Sequence, residues 1–128
     1  MINNLKELLE DDGMILVSPY YLKGDKLPKD LIEKTKKVIE INPTNFDYYE
    51  AIKPYENFEV LYENRKEIIP ETEEQMEKYS RYTINTACKF HNITDEEIIE
   101  YMYQRMYEIK NICNELHKYF VYSVIVLR

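Results

Sequence analysis

The sequence is poor in the residues that mark several common classes of site. Only two glycines occur among 128 residues, which argues against glycine-rich phosphate loops and against an all-β fold with many tight turns. No stretch approaches eighteen consecutive apolar residues, so we expect no transmembrane helix. The two cysteines, Cys88 and Cys113, lack CxxC spacing and are predicted to be buried free thiols, with no disulfide and no metal site.

Motifs for catalysis are equally scarce. The two histidines, His91 and His117, have no carboxylate at the spacing of a zinc motif, and no nucleophile elbow, Walker loop or dinucleotide fingerprint is present. A nucleophilic pair between a cysteine and a histidine stays open, because the two residues need only be close in space. Apart from that pair, the sequence indicates a protein that is not an enzyme and that uses no cofactor.

What the sequence does contain fits one folded domain over residues 1–128. Hydrophobic residues make up 45% and charged residues 32%, which is typical of a globular protein. The net charge of −7 repels phosphates and therefore disfavours binding to nucleic acids or anionic membranes, whereas it favours basic partners. The N-terminal stretch carries acids where a signal peptide would carry positive charge, so we expect a cytoplasmic protein.

The composition also suggests an origin. Ile, Lys, Asn and Tyr account for 51 residues, which is typical of an A/T-rich genome such as that of a low-GC bacterium or its phages. Such a genome would raise the number of tyrosines, thirteen in this chain, without selection for function. The positions of the tyrosines, rather than their number, must therefore support any functional interpretation.

Periodicity predicts the element order α-β-α-β-α-α-β. The class is α+β, with a small sheet of about three strands covered by helices, a C-terminal helical hairpin and a buried C-terminal strand. The three strands are expected within residues 14–22, 57–63 and 119–128, and Pro19 favours an edge position or a bend in the first. The hairpin helices are expected over residues 70–92 and 94–120, joined by a short turn.

Each hairpin helix has an apolar seam that we expect to face the core. In the last helix Thr94 is predicted to cap the N-terminus in a capping box with Glu97. Tyrosines and arginines flank the seams. The predicted seams are Met76, Tyr79, Thr83, Ala87 and Phe90 in the first helix, and Ile99, Met102, Met106, Ile109, Cys113, Leu116 and Phe120 in the second.

The candidate binding surface is the outer face of this hairpin. Tyrosine and arginine are enriched at energetically important positions of protein interfaces. The residues predicted to form this surface are Arg81, Tyr82, Tyr101, Tyr103, Arg105 and Tyr107. The alternative is that the tyrosines are the margin of a wide apolar face and that each arginine pairs with a residue about one turn away, Arg81 with Glu77 and Arg105 with Tyr101 or Glu108.

These features favour a small acidic interaction protein. We expect it to bind and inhibit a basic host protein that handles nucleic acids, in the manner of anti-CRISPR proteins, and to belong to a phage or mobile element. Two alternatives stay open. The first is a protein that binds a nucleotide signal between the hairpin helices through Arg81 and Arg105. The second is a structural subunit that forms a homodimer through the same aromatic face.

Overall fold

The structure, a computed structural model, describes residues 2–128. Nine helices and strands, together with one short 3-10 helix, are present in this range. In chain order they are α1 (Ile2–Glu7), β1 (Ile15–Val17), β2 (Tyr20–Leu22), α2 (Lys29–Ile39), α3 (Tyr48–Ile52), the 3-10 helix (Lys53–Tyr55), β3 (Val60–Glu67), α4 (Glu73–Phe90), α5 (Glu96–His117) and β4 (Phe120–Leu127). The predicted α+β class, the C-terminal helical pair and the final buried strand are confirmed.

The chain divides into two compact units, each assembled from segments that are separate in sequence. Unit 1 combines the described residues up to Leu27 with Thr44–Ile68 and Tyr119–Arg128. Unit 2 combines Pro28–Pro43 with Ile69–Lys118. Unit 1 therefore holds the sheet, and unit 2 holds α2 and the hairpin of α4 and α5. That all 128 residues form a single domain stays a prediction from chain length.

Unit 1 is an antiparallel sheet with β4 at its centre. β1 and β2 pair with successive halves of one side of β4, and β3 pairs with the other side. The predicted first strand is thus two short strands, interrupted at Ser18 and Pro19, because proline has no N–H to donate to a ladder. The sheet has four strands rather than about three, but its width is that of three.

One face of this sheet carries the core of unit 1. Successive strand residues point to opposite faces, and on the core face of β4 the buried residues are Val121, Ser123, Ile125 and Leu127, whereas Phe120 is buried on the other face. Ile125 and Leu127 pack with Phe58, and Ile15, Val17 and Ile52 surround them. On the same face the Tyr21 hydroxyl and Ser123 Oγ share a hydrogen bond of 2.8 Å, which satisfies two buried polar groups.

β3 differs from the predicted strand in its bounds and in its faces. The register shifts between Val60 and Tyr62, so Leu61 is the extra residue of a β-bulge. Val60 lies opposite Leu127 and Tyr62 opposite Val126, which places these two side chains on opposite faces, whereas strict alternation predicts the same face. The strand continues to Glu67 through charged residues, because the ladder with β4 pairs their backbone groups.

Unit 2 is built around α5, which packs against α4 and also against α2. The buried residues of α4 are Met76, Ser80, Ile84 and Cys88, one residue of each turn. Tyr79 and Phe90, which were predicted in the seam, are exposed, so the predicted face of α4 is wrong by about one residue. The hydroxyl of Ser80 is buried without a hydrogen-bond partner among residues 2–128.

The caps of the hairpin helices also differ from the prediction. Asp95, not Thr94, caps α5, and its carboxylate accepts from the backbone N–H groups of Glu97 and Ile98. α4 begins after Thr72, which forms a capping box with Gln75. No helix within residues 2–128 is both long enough and apolar enough to cross a membrane.

Candidate functional site

The predicted outer face of the hairpin begins with Arg81, whose guanidinium is bound within unit 2. Its two terminal nitrogens donate to the two carboxylate oxygens of Glu100 at 2.7 and 3.2 Å, so the pair is bidentate. Hydrogen bonding to Arg81 holds the pKa of Glu100 below its usual value. The same guanidinium lies 3.4 Å from the ring centroid of Tyr103. The partner of Arg81 is therefore Glu100 across the hairpin, not Glu77 on its own helix.

Tyr103 is a core residue, which contradicts its predicted place on an exposed face. Only 6% of its surface is accessible, and it packs with Ile84 and Cys88 of α4. Tyr107, one turn further, is half-buried, with its ring centroid 6.3 Å from that of Tyr103. The reason is that α5 presents Tyr103 to α4. The contact between the two helices therefore includes Tyr103 and Tyr107 as well as the half-buried Met102 and Met106.

Arg105 is directed to α2. It donates to Glu108 at 2.8 Å, as the alternative interpretation predicted, and also to the backbone carbonyl of Val38 near the end of α2. A cation at that position satisfies a carbonyl that the helix leaves unpaired. Arg81 and Arg105 thus contact different helices, and both guanidiniums have carboxylate partners.

Tyr82 and Tyr101 are the members of the predicted set that stay available to a partner. Each is 72% exposed. Tyr82 lies about 200° round α4 from the buried Ser80, at 100° for each residue, so it points away from the helix seam. The predicted six-residue surface is therefore reduced to two tyrosines, because Arg81 joins α4 to α5 and Arg105 joins α5 to α2.

A larger exposed aromatic surface lies on the second face of the sheet in unit 1. On this face, opposite the core, Leu16 and Tyr62 flank Val126, and Tyr20 stacks on Tyr122 with 5.5 Å between ring centroids. Leu16 is 71% exposed, and Tyr20 and Tyr62 are both more than half exposed. We call this set, with Val124, the sheet face. Sequence analysis missed it because the bulge at Leu61 decides which way Tyr62 points.

On the core face of the sheet, unit 1 contains a cleft of about 380 Å³. α3, the 3-10 helix, β3 and the end of β4 form its walls. Aromatic and apolar side chains predominate, together with two carboxylates and one lysine. The lining residues are Tyr48, Tyr49, Ile52, Lys53, Tyr55, Glu56, Phe58, Val60, Glu63, Ile125 and Leu127.

Tyr48 makes several specific contacts within the cleft. Its hydroxyl donates to Glu63 Oε2 at 2.8 Å, and its ring makes edge contacts with Tyr21 and Tyr49 at 5.1 and 5.6 Å. Burial, together with the hydrogen bond to the Glu63 carboxylate, raises the pKa of Tyr48 to about 12. The phenol therefore keeps its proton at neutral pH and remains a donor to Glu63.

The helix that carries Tyr48 is fixed by a capping box that the sequence already contains. Asp47 accepts from the backbone N–H of Glu50 at 2.9 Å, and Glu50 accepts from the N–H of Asp47 at the same distance. Lys26 reaches Glu50 at 3.0 Å, and these bonds lower the pKa of Glu50. The D-x-x-E spacing would have predicted this short helix, and with it the position of Tyr48 and Tyr49.

The cysteines and histidines form no catalytic arrangement in the described contacts. Cys88 is buried with its sulfur 3.9 Å from that of Met102, and burial raises the pKa of the Cys113 thiol. Burial also lowers the pKa of His117. Within residues 2–128 no group of three or more His, Cys, Asp or Glu side chains is arranged to hold a metal ion.

The fold is similar to that of a known protein. One match is a solved structure described as the crystal structure of MccD protein, with a TM-score of 0.71 and 16% sequence identity. The match covers 99% of this chain but 51% of that chain, so the chain spans about half the length of that structure. At this identity the likeness is one of fold alone. Comparison with protein-family models gives no match, and neither does comparison with curated proteins.

Proposed function

We propose that the chain is an interaction protein that binds a protein partner with a basic surface. The observation that supports this proposal is the sheet face, where Leu16, Tyr20 and Tyr62 leave a contiguous aromatic and aliphatic surface in water. Exposed apolar patches rimmed by polar residues are characteristic of interaction sites, and tyrosine is enriched at their centres.

Charge complementarity selects the kind of partner. The net charge of the chain is −7, and the exposed acids Asp11 and Asp12 lie four and three residues before the start of β1 in unit 1. A basic protein would be attracted to such a surface, whereas nucleic acids and anionic membranes would be repelled. That this partner handles nucleic acids and is inhibited by the chain, and that the setting is cytoplasmic, remain predictions from composition and charge.

Site-specific photo-crosslinking in the native host extract tests the proposal. A photoreactive phenylalanine analogue placed at Leu16, Tyr20 or Tyr62 should give an adduct with the same basic protein. Matched positions at Tyr82 and Tyr101 sample the hairpin surface with side chains of equal or greater exposure. The yield of the adduct should fall as the salt concentration rises, because screening reduces the attraction between opposite charges.

Three outcomes would contradict this assignment. Adducts only from Tyr82 and Tyr101 would return the interface to the hairpin. Adducts between two copies of the chain would favour the homodimer, which light scattering would confirm. No adduct from any of the five positions, with the folded protein present at micromolar concentration, would remove the proposal that a protein partner is bound at either surface.

A further inference from the structure

We propose that the cleft of unit 1 is a binding site for an organic cation, namely a guanidinium or ammonium group carried on a short alkyl chain. The cleft is distinct from the sheet face, since its lining residues Glu63, Ile125 and Leu127 lie on the opposite side of the sheet from Tyr62 and Val126. Its volume of about 380 Å³ suits a ligand of side-chain size.

The aromatic lining favours a cation. Tyr48, Tyr49 and Tyr55 all contribute to the wall, and Tyr49 is 78% exposed. Aromatic faces attract guanidinium and ammonium groups through the ring quadrupole.

This chain already uses that interaction on three other tyrosines. Arg81 lies 3.4 Å from the Tyr103 ring centroid, Lys110 lies 5.7 Å from that of Tyr79, and Arg65 lies 5.9 Å from that of Tyr21. Among the described residues, no lysine or arginine lies over the ring of a cleft tyrosine in this way.

The charges of the cleft give the same preference. The carboxylate of Glu63 accepts the hydroxyl of Tyr48, and no described lysine or arginine forms an ion pair with it. Two neighbouring carboxylates are already neutralised, Glu50 by Lys26 and Glu59 by Arg128. The cleft lining carries two carboxylates, Glu56 and Glu63, against one lysine, Lys53, so its net charge favours a bound cation over a bound anion.

The arrangement is ordered before any ligand arrives. Tyr48 is held by its bond to Glu63 and by two ring contacts, so the carboxylate it contacts is fixed in turn. Because Tyr48 bonds to Oε2, the second oxygen of Glu63 is left for a donor of the ligand. Preorganisation of this kind reduces the entropy lost on binding.

The test is a titration of the ¹⁵N-labelled full chain, followed by NMR. The probes are propylguanidinium, a blocked Gly-Arg-Gly peptide, and the same peptide with neutral citrulline, which has nearly the shape of arginine without its charge. We expect saturable shifts at the amides of Tyr48, Tyr49 and Tyr55 with the cationic probes and none with citrulline. Tighter binding of the peptide than of propylguanidinium would identify a protein side chain as the source of the cation, and the reverse would identify a free small molecule.

Charge variants give the sign of the interaction. Glu63→Gln keeps an acceptor for Tyr48 and should weaken binding about fivefold, the range of an exposed ion pair. Lys53→Gln removes the lysine that lines the cleft and should strengthen binding, whereas a site for anions would respond in the opposite way. The matched control is Glu67→Gln, on the same strand and the same face, where the carboxylate pairs with Lys23 outside the cleft.

Several results would overturn the proposal. Equal binding of the citrulline peptide would show an apolar cleft without preference for charge. Weaker binding after Lys53→Gln, or no change after Glu63→Gln, would show that Glu63 does not receive a cation. If Glu63→Gln fails to fold, which its NMR spectrum would reveal, the comparison of arginine with citrulline on the unaltered chain still decides.

Discussion

The sharpest difference between the sequence pattern and the structure concerns two tyrosines on α5, and it can be measured. Tyr101 and Tyr103 were both predicted on one outer surface. In the structure Tyr103 is 6% exposed and Tyr101 is 72% exposed. The two positions differ by about 200° round the helix, since each residue advances 100°. Replacing each with alanine changes the same side chain on the same helix, so each variant is the control for the other.

The expected cost of Tyr103→Ala follows from its packing. Truncation of a buried aromatic side chain to alanine costs about 3–5 kcal/mol, through lost burial and the cavity that remains. Arg81 lies over the ring and its own side chain is 40% exposed, so it can move partly into the space. We therefore expect about 3 kcal/mol for the ring of Tyr103, without any electrostatic contribution. Tyr101→Ala should change the free energy of unfolding by about 0.5 kcal/mol or less.

Urea unfolding followed by far-ultraviolet circular dichroism gives both values. Equal slopes in the two variants would show that the unfolded state is unchanged, so the midpoints can be compared directly. A cost for Tyr101→Ala equal to that for Tyr103→Ala would refute the assigned orientation of α5. So would a Tyr103→Ala variant whose stability matches that of the unaltered chain.

Three further predictions follow from contacts within the two units. Asn114→Ala should destabilise unit 2 by about 1–3 kcal/mol, because the side-chain amide of Asn114 accepts from the backbone N–H of Glu71 at 3.1 Å and donates to the Glu71 carbonyl at 2.7 Å. The control is Asn111→Ala at an exposed position, and the urea midpoints of the two variants give their costs. Equal costs would contradict the prediction. Ser80→Ala should leave stability unchanged or raise it by up to about 1 kcal/mol, because the hydroxyl is buried without a described partner and alanine favours helix; a clear loss in the same assay would reveal a hydrogen bond at that position. Tyr48 should lose its stabilising contribution between pH 10 and 12, because its pKa is raised in the folded state and the unfolded state is therefore deprotonated first. The free energies of unfolding of the unaltered chain and of Tyr48→Phe should converge over that range. A constant difference between the two would refute the raised pKa.

Local signals predicted the kinds of elements well. The hydrophobic run over residues 119–128 indicated a buried strand, and β4 is the centre of the sheet. The apolar stripes of the last two helices and their short connection predicted the hairpin of α4 and α5. These features depend on residues near one another in sequence, and such patterns describe the average environment of a segment.

Faces and partners were harder to predict, because they depend on contacts between distant segments. The bulge at Leu61 forms only when β3 pairs with β4, and it alone reverses the direction of Tyr62. The cleft combines residues of α3, β3 and β4, so no local pattern could show that Tyr48 meets Glu63. Glu100 lies nineteen residues from Arg81, and therefore the pairing rule for one helix proposed Glu77 instead.

The wrong placement of Tyr103 on the exposed face of α5 has a general physical cause. A helix with one neighbour has one apolar stripe, and its period locates that stripe. α5 has two neighbours, and it contacts α4 near Tyr103 and α2 through Arg105. The apolar stripe that the sequence pattern locates lies between the two contact faces of α5. Residues on that stripe, such as Met102 and Met106, are therefore half-buried, whereas Tyr103 and Ile112 are nearly inaccessible. Arginine in the middle of such a helix therefore indicates a second packing partner as readily as it indicates a ligand.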